Sequence, residues 1–224
     1  AAPRAPHGAA ELDAVCDYYT RMAAHDLFIV QVVARAIDTL FAGDAHFQLI
    51  LARQLGDDGA HAVLARERIV ALSGVDPLPE IERRVAGHYE LHILAKLWIQ
   101  RKTGTIADPA MREHGETRIR PDEEWHRVQI VQWWRTRLAS TTGAAREALI
   151  DSVLAADDAL QRRLDGYLHD EYAHTAHVFG ADIGAYHAIY DDWRREMLAR
   201  LTGRDPAKLS ALVSLSTRMS TENA

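Results

Sequence analysis

Apolar residues recur at three- and four-residue intervals along most of the chain, the spacing of amphipathic helices. Leu12, Val15, Tyr19, Met22, Leu27, Val30, Val33, Ile37 and Phe41 form one such stripe without an internal Gly or Pro, and predict a helix over 11–42. Gly43-Asp44 breaks it, with Asp44 placed to cap a second helix over 45–73. Gly56 and Gly59 fall inside that helix, each costing about 1 kcal/mol relative to Ala, which points to close packing or a distorted turn near a site. Gly74 to Pro79 stops it, and a third helix is predicted over 80–102. Thr103 to Pro121 is polar, contains Gly104, Pro109 and Gly115, and reads as a loop with at most a short helical turn. Helical patterning resumes over 122–139, where Pro121-Asp122-Glu123-Glu124 is an acidic start suited to the positive end of a helix. It continues over 144–179, with a break indicated near Asp157 or Gly166, and over 185–201. No strand pair is evident. The expectation is an all-α protein: one domain over 11–203, flanked by a flexible tail at 1–10 and a tail at 204–224.

Composition narrows the function classes. Hydrophobic residues make up 48% of the 224 positions, enough to bury a substantial core. A formal net charge of −6 argues against a broad nucleic-acid-binding or anionic-membrane surface. No uninterrupted apolar run reaches the length of a membrane span. Cys16 is the single cysteine, so an intrachain disulfide is impossible; a reducing compartment, the cytoplasm, is the expectation. The chain has no Gly-rich phosphate loop, no Gly-x-Ser-x-Gly elbow and no Cys-x-x-Cys pattern.

Two stretches echo each other: Asp57-Asp58-Gly59-Ala60-His61 and Asp170-Glu171-Tyr172-Ala173-His174. Each sets a carboxylate three residues before a histidine on a helix, which brings both to one face. One such pair is a common accident on helix surfaces. Two pairs, separated by a helix with Glu90 at its centre, match the constellation that holds two iron or manganese ions in carboxylate-bridged bundles. Carboxylates neutralise and bridge the cations, and the histidines complete a coordination sphere open to dioxygen. The candidate ligands are Asp58, His61, Glu90, Glu171 and His174, plus one from the first helix. Counting back from a turn near Asp44 puts Val30 or Gln31 level with Asp58, and Asp26 about 6 Å too far out. Asp26 has the better chemistry; Gln31 is the alternative. His177, one turn beyond His174, is a further candidate, and Trp98 and Tyr167 are candidates for a substrate pocket. Asp57 and Asp170 read as partners that orient ligand histidines.

The run Leu51 to Gly74, centred on Gly56-Asp57-Asp58-Gly59-Ala60-His61, resembles the second core helix of the phenylacetyl-coenzyme A epoxidase catalytic-subunit family. Those are ferritin-like bacterial multicomponent oxygenases with Glu-x-x-His at this place. His169-Asp170-Glu171-Tyr172-Ala173-His174 followed by Val178-Phe179-Gly180 is similar to the family's fourth core helix. Ala24-His25-Asp26 resembles the segment carrying the first-helix acid, and Gly87 to Trp98 resembles the third helix. The resemblance spans about 20–102 and 155–180. It implies a ferritin-like four-helix bundle, here with an inserted helical segment at about 103–154 between core helices 3 and 4, and an extra C-terminal helix. It further implies a centre of two Fe ions (or Mn/Fe) that activates dioxygen to hydroxylate, epoxidise or N-oxygenate a small organic substrate. An electron-donor protein would supply reducing equivalents, with assembly as a homodimer or hetero-oligomer. Asp58 stands where the family has Glu, and the family also contains a structural subunit whose ligands have decayed. The alternative expectation is therefore a metal-degenerate subunit or a protein with redox-neutral chemistry.

Overall fold

The structure, a computed structural model, describes residues 8–84, 109–179 and 182–210, whose regular elements are all helical, without strands. Helix α1 covers Ala9–Thr39, α2 Ala45–Ser73, α3 Leu78–Arg83, α4 Pro109–His114, α5 Arg120–Ala139, α6 Gly143–Phe179 and α7 Ile183–Thr202. A single π-helical turn, Gly115–Ile119, joins α4 to α5, and a 3₁₀ turn, Pro206–Lys208, follows α7. Among the described residues no helix is long and apolar enough to cross a membrane.

The end signals act through their expected chemistry. The Asp44 carboxylate caps α2 by accepting from the Phe47 amide at 3.0 Å. Its other oxygen accepts from the Trp133 indole at 2.7 Å, pinning the α1–α2 turn to α5. Gly74 ends α2 in the left-handed region, φ 73°, with its N–H returning to Val70 O.

Helices α1 and α2 form an antiparallel hairpin whose interior is apolar at both ends and polar between. One cluster joins Val15, Tyr18, Tyr19 and Met22 of α1 to Ala65 and Ile69 of α2 and Ile119 of the π turn. The other joins Ile29 and Val33 to Phe47 and Leu51, with Ile130 and Trp133 of α5 packed against them. Asp26, Asp58, His61, Glu123 and His126 are all buried in the band between.

Two sequence expectations change here. The stretch 109–119 is helical rather than loop. Arg120 N–H bonds back to Gly115 O, a five-residue step, which carries the helix into Pro121, a residue without an N–H to donate. A π turn absorbs the breakers that the sequence shows there. Helix α6 also runs unbroken through Asp157 and Gly166. The expected third helix over 80–102 is seen only at its start, as α3; its remainder, with Glu90 and Trp98, lies outside the described residues.

Candidate metal centre

Asp26 of α1, Asp58 and His61 of α2 and Glu123 of α5 each offer one ligand atom, all within 4.8 Å of one another, and all four residues are buried. The register that brings Asp26 to Asp58 follows from the hairpin. Helix α1 ends at Thr39 and α2 begins at Ala45, so the turn is centred on Ala42, from which Asp26 and Asp58 are equidistant. A turn placed at Asp44 had put Val30 or Gln31 at that height; the real turn starts earlier. Gln31 is exposed and takes no part.

His126, one helical turn after Glu123, completes a second acid-x-x-His pair that faces the first. His61 Nδ1 lies 3.8 Å from Asp58 Oδ1 and 3.9 Å from Glu123 Oε1. His126 Nδ1 lies 3.9 Å from the same Asp58 oxygen and 4.0 Å from Glu123 Oε2. The two oxygens of Glu123 thus address different imidazoles. The far nitrogens are held crosswise: His61 Nε2 meets Asp122 Oδ2 at 3.2 Å, and His126 Nε2 meets Asp57 Oδ2 at 3.2 Å. Each motif's leading aspartate therefore orients the histidine of the other helix. When the outer nitrogen donates to the carboxylate, the inner nitrogen keeps its lone pair for a metal.

The electrostatics agree with a cation site. Burial, reinforced by the neighbouring Asp58 charge, raises the Asp26 carboxyl well above the usual carboxylate range. Burial also lowers the His61 imidazole, opposed in part by Asp122, which favours the neutral ligand form. His61 Nδ1 is buried without a hydrogen-bond partner among the described residues. Three buried carboxylates and neutral imidazole nitrogen form a donor set suited to iron, manganese or zinc.

A stability prediction follows for the metal-free protein. An acid whose pKa is raised on folding binds more protons folded than unfolded between its unfolded and its raised value, so stability falls as pH climbs across that window and stays reduced above it. Asp26→Asn removes that penalty. It is expected to stabilise metal-free protein by about 0.5–2 kcal/mol at pH 8 and by less at pH 5, read from urea denaturation. A loss of stability, or a gain independent of pH, would refute the strain.

Of the other expected ligands, Glu90 lies outside the described residues, and His174 is placed away from the group. His174 does not join this group: its Nε2 lies 3.1 Å from Asp17 Oδ2. Asp17 also receives Arg21 Nε at 2.9 Å and Arg84 Nη1 at 2.6 Å. Two guanidinium groups on that carboxylate oppose a further cation, and Asp17 lies about 13 Å along α1 from Asp26. Glu171, His177 and Tyr167 belong to α6, and their side chains lie outside the described residues. The segment expected as an insertion supplies Glu123 to the group and sets His126 beside it. The signal was present, because Asp122-Glu123-Glu124-Trp125-His126 repeats the acid-acid-x-x-His pattern of the other two motifs. Its place directly after Pro121 makes the same stretch an acidic helix start, which masks the ligand pair.

No protein-family model, curated protein or solved structure matches this chain.

Proposed function

We propose that the chain is a ferritin-like di-iron oxygenase, activating dioxygen to hydroxylate, epoxidise or N-oxygenate a small organic substrate. The reading rests above all on the reciprocal pairing of Asp57-Asp58-x-x-His61 with Asp122-Glu123-x-x-His126. Asp58 and Glu123 each approach both histidines, so these four side chains would hold the cations between α2 and α5. Asp26 supplies a further carboxylate, and Glu90 enters on its sequence position alone. Iron, or a manganese–iron pair, contributes the one-electron chemistry and dioxygen binding that side chains lack. Asp57 and Asp122 fix the imidazoles, and the apolar clusters on either side keep water from the band. An electron-donor protein completes the cycle.

The test is metal loading. Purified protein is mixed with ferrous iron without oxygen, bound metal is counted, and oxygen uptake is then followed with a chemical reductant. Two irons per chain are expected, lost in Glu123→Ala and retained in His174→Ala, with reductant-dependent oxygen uptake by the loaded protein. Stoichiometry near zero would favour the metal-degenerate subunit. Loss of metal in His174→Ala but not in Glu123→Ala would return the centre to the α6 motif. Metal binding without oxygen uptake would leave a metalloprotein but remove the oxygenase.

A further inference from the structure

The outward face of α2 is apolar where a helix facing water is ordinarily charged. Leu49 is 73% exposed, Val63 53% and Val70 40%. With Gly56 they fall at seven-residue intervals, the spacing at which helices pack along a seam. Gly56 is exposed, and a Cβ built on it meets nothing within 4 Å. The glycine therefore relieves no crowding inside the protein, although it costs α2 about 1 kcal/mol relative to Ala. It leaves a notch in an exposed helix face.

We propose that this face is a homodimer interface, in which two α2 helices pack antiparallel about a twofold axis at Ala60. Positions equidistant from Ala60 meet across such an axis. Leu64 then enters the notch at Gly56, Leu49 faces Ala71, Val70 faces Ile50, Val63 faces Asp57, and Ala60 faces its own copy. The charges on the face are Arg53 and Glu67, and they too are equidistant from Ala60, so each faces its opposite on the partner. A parallel pairing would set Arg53 against Arg53 and Glu67 against Glu67, which selects the antiparallel arrangement. The Arg53 guanidinium lies 3.8 Å from the Trp125 ring centroid and 3.4 Å from Asp57 Oδ2, yet its side chain remains half exposed. Its fork has five N–H donors, enough to serve Asp57 and a second carboxylate.

Sedimentation equilibrium of the full chain tests the pairing. The wild type is expected at twice the chain mass. Arg53→Glu and Glu67→Arg, each self-repelling, are expected at the monomer mass. An equimolar mixture of those two variants is expected to return to the dimer mass, because every facing pair is then of opposite charge. Gly56→Leu has room in the monomer and fills the notch, so it is expected to halve the mass while the circular dichroism of the helices is kept. A monomeric wild type, a Gly56→Leu dimer as tight as the wild type, or a mixture that stays monomeric would each overturn the proposal.

Discussion

An Asp57→Ala, Asp122→Ala double variant is expected to bind ferrous iron about 10²- to 10⁴-fold more weakly than the wild type. Removing a carboxylate behind a ligand histidine typically costs about 10- to 100-fold in affinity. Here the two aspartates serve different imidazoles on different helices, so their losses should multiply. Neither is a proposed ligand, and both are only partly buried. Without Asp122 the His61 ring has no fixed acceptor at Nε2. The proton can then settle on Nδ1, the nitrogen that faces Asp58 and Glu123. The same holds for His126 once Asp57 is gone. Competition against a chelator of known iron affinity measures the effect. Single variants of equal size would confirm the symmetry of the arrangement. A double variant no weaker than one single would show that only one histidine binds metal.

Arg194→Leu is expected to destabilise the protein by about 3–5 kcal/mol, the usual cost of stranding one member of a buried ion pair. At this chain length that corresponds to roughly 6–20 °C in Tm. Arg194 is 3% exposed, and its Nε and Nη2 bond Asp157 Oδ2 at 2.9 and 2.5 Å across the α6–α7 contact. Gln161 donates to Asp157 at 3.2 Å and accepts from the Tyr190 hydroxyl at 2.8 Å, so the pair sits in a connected buried network. Arg194 Nη1 also donates to Ser210 O at 2.8 Å, tying down the segment after the 3₁₀ turn. A second substitution, Asp157→Leu, should restore most of the loss, since apolar residues of similar size often replace such pairs without penalty. Thermal unfolding of the single and double variants decides it. A double variant as unstable as the single would locate the cost in lost packing instead.

The hairpin was legible in the sequence because its signals are local. Asp44 and Gly74 bracket α2, and the predicted span 45–73 coincides with Ala45–Ser73. The face shared by Asp58 and His61 follows from helical spacing alone. The height of Asp26 was not legible from the same rule, because it depends on where α1 stops. Gly43 looks like the break, yet the last helical residue is Thr39. Gly56 was expected to mark crowding, and instead it faces outward. The α5 half of the centre was obscured by Gly115 and Pro121, which read as interruptions until the π turn carries the helix past them. Three acid-acid-x-x-His stretches stand in this chain, and spacing cannot say which two face each other. Among the described residues, α5 lies against α2, and His174 lies against Asp17 and its two arginines.

The polar band lies sixteen residues from Ala42 along either arm of the hairpin, about 24 Å below its tip. Phe47, Leu51 and Trp133 fill the path from that tip, and Tyr19, Met22 and Ile69 fill the opposite end. Among the described residues, both routes along the helix axes are lined by packed side chains. On the proposed function, a substrate would reach the centre sideways, between helices, and the residues lining that lateral passage would choose what is admitted.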